Sequence, residues 1–319
     1  MWVFLWILIF LCGSLQLSES VNFRCYRGSL NNYEIADMNN PQVFIKSGCI
    51  NTGLRTYIYV FGFKTTPDDD TTQAILQAYI EKGYCNLLLL DWSKENYSSN
   101  MTIVDDAFFY SLAAGNSVVI GREMGNSLII LFNNGLNLLN AVLLGWSLGC
   151  PLLGEAGRYV MSQGIQIFQI KCLDPAKPGY GKPVPVMKPL DKKSAKIVFI
   201  IHTDVYYFGL NESHGTCDVY INQRPFIDGN NLQPGCPDRS INRACSHKRS
   251  IFCYLNAMQQ PSTLIASAAA NYWDWVAADG VSTNIVDIGN DDETDAEGNY
   301  YMTTNPSEPF GQSTAGLSE

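Results

Sequence analysis

One serine of this chain lies in a motif that can present a nucleophile. Ser147 is the centre of Gly145-Trp146-Ser147-Leu148-Gly149, which directly follows the apolar residues 142–144. Such a motif after a strand forms a sharp turn into a helix and lifts the serine oxygen above the sheet, where a side chain at either glycine would crowd the turn. The same five-residue pattern also occurs by chance, as an ordinary connection between a strand and a helix. Further residues must therefore decide whether it is catalytic.

An acid and a base follow Ser147 in the chain order that is typical of one class of catalytic triad. Asp174 lies in Leu-Asp-Pro, and His247 stands between Cys-Ser and Lys-Arg. In α/β-hydrolases the chain order is serine, aspartate, histidine; the histidine takes the serine proton, and the aspartate fixes the imidazole tautomer. His202 ends an apolar run, where we expect a core residue bonded to the backbone, and His214 lies in a polar loop, where exposure is expected. His247 could also be a surface residue, but its spacing favours the base.

Seven segments of the chain occur in the order typical of a known family. They are residues 90–93 (Leu-Asp-Trp-Ser), 145–149 with 154–160 after it, 173–178 (Leu-Asp-Pro-Ala-Lys-Pro), 201–204 (Ile-His-Thr-Asp), 233–236 (Gln-Pro-Gly-Cys), 245–250 (Cys-Ser-His-Lys-Arg-Ser) and 309–311 (Pro-Phe-Gly). The chain thereby resembles the animal neutral lipases, the pancreatic-lipase-like family, and most of all its secreted phospholipase A1 and lipase H-type members. The resemblance implies an α/β-hydrolase fold with Ser147 as nucleophile, Asp174 as acid and His247 as base.

The same resemblance implies an oxyanion hole made by two backbone amides, those of Phe63 and Leu148. Because main-chain groups do this work, the side chains can vary, and each donor contributes about 3 kcal/mol where it has been measured. The chain departs from the family pattern around this site, with the triad residues kept. The departing residues are Phe61 and Trp146 in place of histidine, Cys172 in place of glycine, and Cys150 and Pro151 after the serine turn.

Cysteines indicate an oxidised protein with a short lid. By the resemblance, Cys236 and Cys245 form the disulfide of the lid loop over the active site, with only eight residues between them. Triglyceride lipases of the family carry longer lids, and phospholipases A1 carry lids of this size, so we expect little dependence on a lipid interface. The alternative, in which the pair only staples a surface turn, stays open. Cys12 lies in the apolar N-terminal stretch that we predict below to be a cleaved signal peptide. The other nine cysteines are an odd number, so we expect one thiol to be unpaired or paired between chains.

We expect neither a metal nor a cofactor. No Cys-x-x-Cys pair or Cys/His cluster with the spacing of zinc ligands occurs in the sequence. The net charge of −9 also argues against nucleic acid or an anionic membrane as a partner, because such partners require clustered Lys and Arg. The acidic residues 291–297 are predicted to form a solvated loop.

The N-terminus has the pattern of a secretory signal. Residues 2–12 are apolar and are followed by small or polar residues to position 20, although the basic region that usually precedes them is missing. The apolar length is too short for a membrane span. The sequons at Asn96, Asn100 and Asn211 fit passage through the secretory pathway. We therefore predict a signal peptide over residues 1–20 and one α/β-hydrolase lipase domain over 21–319, without a C-terminal lipid-binding sandwich, in a secreted monomer.

The hydrophobic pattern predicts a mostly parallel sheet flanked by helices. Short apolar runs separated by longer stretches are typical of buried parallel strands; they lie at 57–61, 85–90, 142–144, 165–170 and 197–201. Helices are predicted over 71–82 and 116–134, and a short strand over 300–304. A lipid hydrolase also needs an apolar rim at its cleft, and five aromatic residues are candidates for the rim or for the core: Phe61, Phe63, Trp146, Tyr180 and Phe226.

Our interpretation is a secreted serine esterase that hydrolyses glycerolipids, with phospholipase A1 activity, at a lipid surface to which it binds peripherally. A triglyceride or galactolipid lipase is one alternative. Another is a catalytically weak lipid-binding protein like the yolk storage relatives, which keep the fold. Those relatives typically lose the serine, and the presence of Ser147, Asp174 and His247 together favours the enzyme.

Overall fold

The computed structural model describes residues 21–96, 103–182, 186–224 and 232–319. The strands in these ranges are β1 (Asn22–Ser29), β2 (Asn32–Asp37), β3 (Arg55–Val60), β4 (Cys85–Asp91), β5 (Ala141–Trp146), β6 (Gln169–Leu173), β7 (Ile197–His202), β8 (Cys217–Ile221), β9 (Ile265–Ala268), β10 (Ile285–Asp287) and β11 (Gly298–Met302). The α-helices are α1 (Val43–Lys46), α2 (Asp70–Lys82), α3 (Ile103–Asn133), α4 (Gly149–Ser162), α5 (Cys245–Gln259) and α6 (Tyr272–Ala278), with short 3₁₀ helices at Leu138–Asn140 and Ser313–Leu317.

All of these strands belong to one sheet, in the order β10-β9-β11-β8-β7-β6-β5-β3-β4-β1-β2. The strands from β4 to β11 in the middle of that order run parallel to one another. Antiparallel strands extend it at both edges, β1 with β2 at one and β9 with β10 at the other. Every residue of β5, β6 and β7 is buried, as expected for parallel strands covered on both faces. This arrangement confirms the predicted α/β-hydrolase fold class.

Helices cover both faces of the sheet. On one face α2 packs against α5, and elsewhere α3 packs against α4. Successive residues of β6 point to opposite faces. Lys171 accordingly meets Tyr254 of α5, with the lysine nitrogen 5.1 Å from the ring centroid, whereas Cys172 meets Cys150 of α4. The carboxyl ends of β5, β6 and β7 therefore lie side by side at one rim, between two helical layers.

A buried ion pair corrects the prediction for the start of the acidic stretch. Asp291 is not solvated, because its side chain is 1% exposed and pairs with Lys171 of β6, which is 0% exposed, at 2.9 Å. The Lys171 ammonium also donates to the carbonyls of Ile288 and Asn290, and Asp291 accepts from Lys82 and Tyr254. Burial alone would raise the pKa of Asp291, but the charges and hydrogen bonds of the two lysines outweigh it and hold the pKa below its ordinary value.

Most predicted elements form, with shifted ends. The strand predicted over 165–170 begins only at Gln169, and the helix predicted over 116–134 begins at Ile103. Strands β1, β2 and β8 to β10 had not been predicted. The predicted signal sequence, Cys12, Asn100 and Phe226 lie outside the described residues. Within the described ranges, no helix has the length and apolar character needed to cross a bilayer.

The disulfide pattern also differs from the expectation of one odd thiol. Cys25 of β1 pairs with Cys49, and Cys236 pairs with Cys245. Five further cysteines in the described chain keep free thiols: Cys85, Cys150, Cys172, Cys217 and Cys253. All but Cys85 are buried. The expectation was wrong because it counted cysteines, whereas pairing depends on which side chains the fold brings together.

Candidate active site

Ser147 lies in a strained turn between β5 and α4. Its φ is 53°, in the left-handed region that residues other than glycine rarely adopt. Hydrogen bonds hold the turn, because the Ser147 amide donates to Leu173 O at 3.1 Å and the Ser147 carbonyl accepts from the Ala176 amide at 3.1 Å. A Cβ on Gly149 would lie 2.2 Å from Val60 O, so only glycine lets α4 begin this close to β3. The turn has the geometry of a nucleophile elbow.

Asp174 and His247 form a buried hydrogen-bonded pair. Asp174 follows β6, and its Oδ2 lies 2.5 Å from Nδ1 of His247, in the first turn of α5. The other carboxylate oxygen accepts from the amides of Thr203 at 2.8 Å and Asp204 at 3.0 Å. With Nδ1 committed to the carboxylate, Nε2 is the nitrogen of neutral His247 that can accept a proton. The pair therefore has the form of the acid and base of a triad.

Two aromatic rings flank the imidazole. The ring centroid of Trp146 lies 5.2 Å from that of His247, and Phe208 lies 5.6 Å away on another side. Trp146 Nε1 also donates to the His247 carbonyl at 3.4 Å. The departure at position 146 thus places a ring that supports the candidate base. Phe61 and Tyr180, by contrast, are core residues and not rim residues, since both are buried; Phe63 is partly exposed.

The two amides expected in the oxyanion hole have no acceptor among the described residues. Neither Phe63 N nor Leu148 N donates a hydrogen bond there, although Leu148 is fully buried. Gly62, next to Phe63, packs directly on the elbow, because a Cβ on it would lie 2.8 Å from Cβ of Ser147. Buried amides are nearly always paired. Two unpaired amides beside a strained serine fit donors reserved for a negative oxygen.

A second carboxylate, absent from our predictions, stands beside the pair. Ligand atoms of Asp174, Asp204 and His247 lie within 4.8 Å of one another. Burial and the neighbouring charge of Asp174 raise the pKa of Asp204 to about 6, against the opposing effect of Arg239. The guanidinium of Arg239 contacts both Asp204 oxygens, at 2.6 and 3.3 Å.

Because protein donors already occupy the oxygens of both carboxylates, the group is a hydrogen-bonded acid–base cluster and not a cation site. The family segment Ile-His-Thr-Asp contained the signal for Asp204, whereas nothing marked Arg239.

Arg239 belongs to the loop that the Cys236–Cys245 disulfide closes, and this loop is fastened to the site. The Arg239 guanidinium also stacks over Tyr207 at 4.4 Å, and Arg243 donates to the Tyr207 hydroxyl at 2.8 Å. Ile241 at the loop's outer side is 78% exposed. The expected lid loop therefore lies against the Asp204–Tyr207 segment through two arginines and leaves its apolar residue in solvent.

The remaining histidines do not join the site. His202 is buried, with Nδ1 3.1 Å from Leu210 O and Nε2 2.8 Å from Asp218, and its ring stacks on Tyr220. This is the core role that the sequence indicated. His214 is partly buried and not fully solvated, and burial lowers its pKa.

The described sequon asparagines have opposite surroundings. Asn211 is exposed. Asn96 is completely buried, and its Nδ2 donates to Gly62 O at 3.0 Å and Thr65 O at 2.7 Å. Both hydrogens of that nitrogen are used inside the protein, so this structure has no room for a glycan on Asn96. A sequon contains no information about burial, so the sequence predicted glycosylation equally for Asn96 and Asn211.

A parallel sheet with a nucleophile elbow at its carboxyl rim defines the class of α/β-hydrolases. Within that class, the family model described as Lipase matches residues 21–310, and the chain belongs to this family of esterase- and lipase-type hydrolases.

The curated relatives that match this chain include proteins named as phospholipases A1 and proteins named as lipases. Phospholipase A1 member A of Bos taurus is 28% identical over 239 residues, which cover 73% of this chain and 48% of that protein. Pancreatic triacylglycerol lipase of Equus caballus is 25% identical over 255 residues, 73% of this chain and 51% of that protein. The chain thus spans about half the length of these relatives. Among solved structures, MGS-M1, an alpha/beta hydrolase enzyme from a deep-sea metagenome library, is 16% identical over 60% of this chain and 73% of its own, with a TM-score of 0.32.

Proposed function

We propose that this chain is a serine carboxylic-ester hydrolase that acts on glycerolipids, with Ser147, Asp174 and His247 as its triad. The observation that carries the proposal is the 2.5 Å bond between Asp174 Oδ2 and His247 Nδ1, next to the strained Ser147 turn, whose Trp146 ring centroid lies 5.2 Å from that of His247. A buried carboxylate that holds one imidazole nitrogen leaves the other to act as a base, and this is the arrangement that activates a serine. The lipase family membership supports the same class of substrate.

The reaction follows from these roles. Ser147 Oγ attacks the acyl carbonyl carbon of the ester while His247 Nε2 takes the hydroxyl proton. The resulting oxyanion accepts hydrogen bonds from the Phe63 and Leu148 amides. His247 then gives its proton to the departing glycerol oxygen, which leaves an acyl-enzyme. Water, deprotonated by His247, attacks that acyl group and releases the fatty acid, while the proton returns to Ser147.

Phospholipid is the substrate we propose, with phospholipase A1 activity. The lid disulfide joins residues only nine positions apart, and Arg239 and Arg243 fasten the loop beside the site. A loop this short covers little of a cleft, as the family's phospholipases lead us to expect. Relatives named for phospholipase A1 and for triacylglycerol lipase both match the chain, so the choice between the two lipids depends on the lid argument.

We further propose a secreted protein that acts as a monomer at lipid surfaces, with residues 1–20 as its signal and residues 21–319 as one lipase domain. The two disulfides support an oxidising compartment. The exposed Asn211 is the glycan site that the structure leaves accessible among the described sequons.

The test is fatty-acid release by the full chain, purified after secretion from eukaryotic cells, from phosphatidylcholine and from triglyceride. Ser147→Ala is the inactive control, and Ser162→Ala, an exposed serine at the end of α4, is its matched control. We expect sn-1 release from phosphatidylcholine that requires Ser147 and is unchanged in Ser162→Ala. Preference for triglyceride would overturn the lid argument. No release from either lipid or from a small soluble ester, with lipid still bound, would instead favour the storage-type alternative.

A further inference from the structure

The turn that carries the Phe63 amide is held by side chains from the segment after β4. We define the oxyanion loop as residues 61–65, which connect β3 to the approach of α2. Trp92 Nε1 donates to Phe61 O at 3.1 Å, and Asn96 Nδ2 donates to Gly62 O at 3.0 Å and Thr65 O at 2.7 Å. The segment after β4 thus binds carbonyl groups on both sides of Phe63.

The bond to Gly62 O fixes the direction of the Phe63 N–H. The Gly62 carbonyl and the Phe63 amide belong to one planar trans peptide group, in which C=O and N–H point in opposite directions. While Asn96 holds that carbonyl, the Phe63 N–H must point away from Asn96. Rotation of this peptide would break the hydrogen bond and aim the carbonyl oxygen where the N–H had been. A carbonyl there would repel an oxyanion instead of binding it.

The loop has reason to need such a restraint. Lys64, the residue after Phe63, has a φ of 57°, a conformation that costs free energy for any residue with a Cβ. Its amide donates to Asn96 O at 3.4 Å, which adds a backbone contact between the two segments. Gly62 on the other side is pressed against Ser147. A strained loop next to a crowded glycine needs fixed partners, and the Asn96 side chain supplies two of them.

The chemistry of the Asn96 side chain suits this positioning role. Both of its partners are carbonyl oxygens, so the NH₂ end of the amide must face them, and its Oδ1 has no donor among the described residues. The side chain is completely buried. Aspartate has the same shape but presents an oxygen where both bonds need a donor.

We propose that Asn96 is a positioning residue that sets the oxyanion hole by orienting the Gly62–Phe63 peptide, and that it is not a glycosylation site. The role rests on the proposed ester hydrolysis. Asn96 does not touch the substrate; it acts through Phe63. Its loss therefore weakens stabilisation of the transition state and leaves binding of the substrate's acyl chain and headgroup intact.

The test compares Asn96→Asp and Asn96→Ala with the wild type and with Asn134→Asp, an exposed asparagine after α3. Steady-state kinetics use a soluble short-chain p-nitrophenyl ester, and thermal unfolding monitors the fold. We expect kcat to fall by about 10- to 100-fold in both Asn96 variants, with KM changed by less than about threefold, because a misdirected donor acts on the transition state. Asn134→Asp should match the wild type.

A second readout separates positioning from general damage. An alkyl boronic acid bonds to Ser147 Oγ and places a boronate oxygen in the oxyanion hole, so its affinity should fall by the same factor as kcat/KM. Affinity for a non-hydrolysable ether lipid should not change. Folded Asn96 variants with unchanged kcat, or with a raised KM alone, would overturn the proposal. So would a glycan on Asn96 in the active protein, detected by peptide mapping after enzymatic deglycosylation in H₂¹⁸O.

Failure of the proposed function looks different. A wild type without Ser147-dependent hydrolysis refutes the esterase and, with it, the reaction that Asn96 would serve. An active wild type with fully active Asn96 variants refutes only the role of Asn96. Asn96→Ala, which is neutral, keeps the comparison informative where the charge of Asn96→Asp prevents folding.

Discussion

Burial and a neighbouring carboxylate both disfavour the negative charge of Asp204 in the site. Its carboxylate is buried next to Asp174, and Arg239 of the lid loop is the cation that offsets the two negative charges. Asp204 also contacts both the candidate acid and the loop. Its amide donates a hydrogen bond to Asp174, and its carboxylate accepts hydrogen bonds from Arg239. Asp204 therefore connects the loop closed by the Cys236–Cys245 disulfide to the acid–base pair.

The raised pKa of Asp204 gives a stability prediction with a definite sign. The folded-state pKa is about 6, above the value of about 3.9 in an unfolded chain, so the folded protein holds this proton more tightly. The resulting stabilisation is fully present below about pH 4 and is lost as the pH rises through about 6. Asp204→Asn, which is always neutral, removes this dependence while keeping an oxygen for Arg239. Between pH 4 and 8 the unfolding free energy of the wild type should fall, relative to the variant, by about 1–3 kcal/mol.

Urea unfolding of both proteins at the two pH values measures that difference. Exposed Asp238→Asn supplies the matched control, because it lies on the same lid loop. A difference in unfolding free energy that is independent of pH would show that folding does not raise the pKa of Asp204.

Among the strands, β6 connects the rim that carries the candidate triad to a buried ion pair in the core. Its residue Lys171 pairs with Asp291 in the interior, and Asp174 follows its carboxyl end. Two lysines and a tyrosine hydroxyl surround the Asp291 carboxylate, so the desolvated charge is well matched. The loop before β11 is thereby tied to the centre of the sheet.

Asp291→Asn is expected to destabilise the protein by about 3–5 kcal/mol, because it leaves Lys171 buried and charged without its counterion. Lys171→Met together with Asp291→Leu should recover most of that loss, since no unpaired charge remains. The lowered pKa of Asp291 means that its contribution is present above about pH 4 and is lost as the pH falls below that value. Asp292→Asn, at an exposed position of the same loop, is the control. Equal unfolding midpoints for Asp291→Asn and the wild type in guanidinium titrations would contradict this account.

The elements that face the site could be predicted from short stretches of sequence. The features that depend on residues far apart in the chain could not. The apolar runs at 57–61 and 197–201 predicted β3 and β7, and the glycine-flanked turn predicted the elbow, because each signal lies within a few residues. Edge strand β2 has a mixed burial pattern without a two-residue period, so the sequence offered nothing to detect. Asn96 and Arg239 acquire their roles from residues 34 and 35 positions away, which only the folded chain brings near.

The lid that we propose for the loop between Cys236 and Cys245 predicts how the whole protein should respond to a lipid surface. A long lid hides apolar surface that an interface can cover, whereas Ile241 of this loop is already exposed. Opening the loop therefore gains little, and we expect the rate on a short-chain phospholipid to rise by less than about threefold as the lipid passes from monomers to micelles, once corrected for substrate concentration. Rates measured across the critical micelle concentration, with Ser147→Ala as background, test this. A sharp rise of tenfold or more would show that the loop covers the site.

The buried thiols bear on how the chain reaches its native state. Thiol–disulfide exchange requires a thiolate that can reach a sulfur atom, and burial raises the pKa values of the Cys150, Cys217 and Cys253 thiols. Once the sheet has closed, these groups are chemically silent, and the Cys25–Cys49 and Cys236–Cys245 linkages cannot scramble with them. In the unfolded chain the same thiols are accessible and can be oxidised into non-native disulfides. We therefore expect the native disulfides to form in high yield only when the core assembles before non-native cysteine pairs form. The folded core then protects the Cys25–Cys49 and Cys236–Cys245 disulfides from exchange.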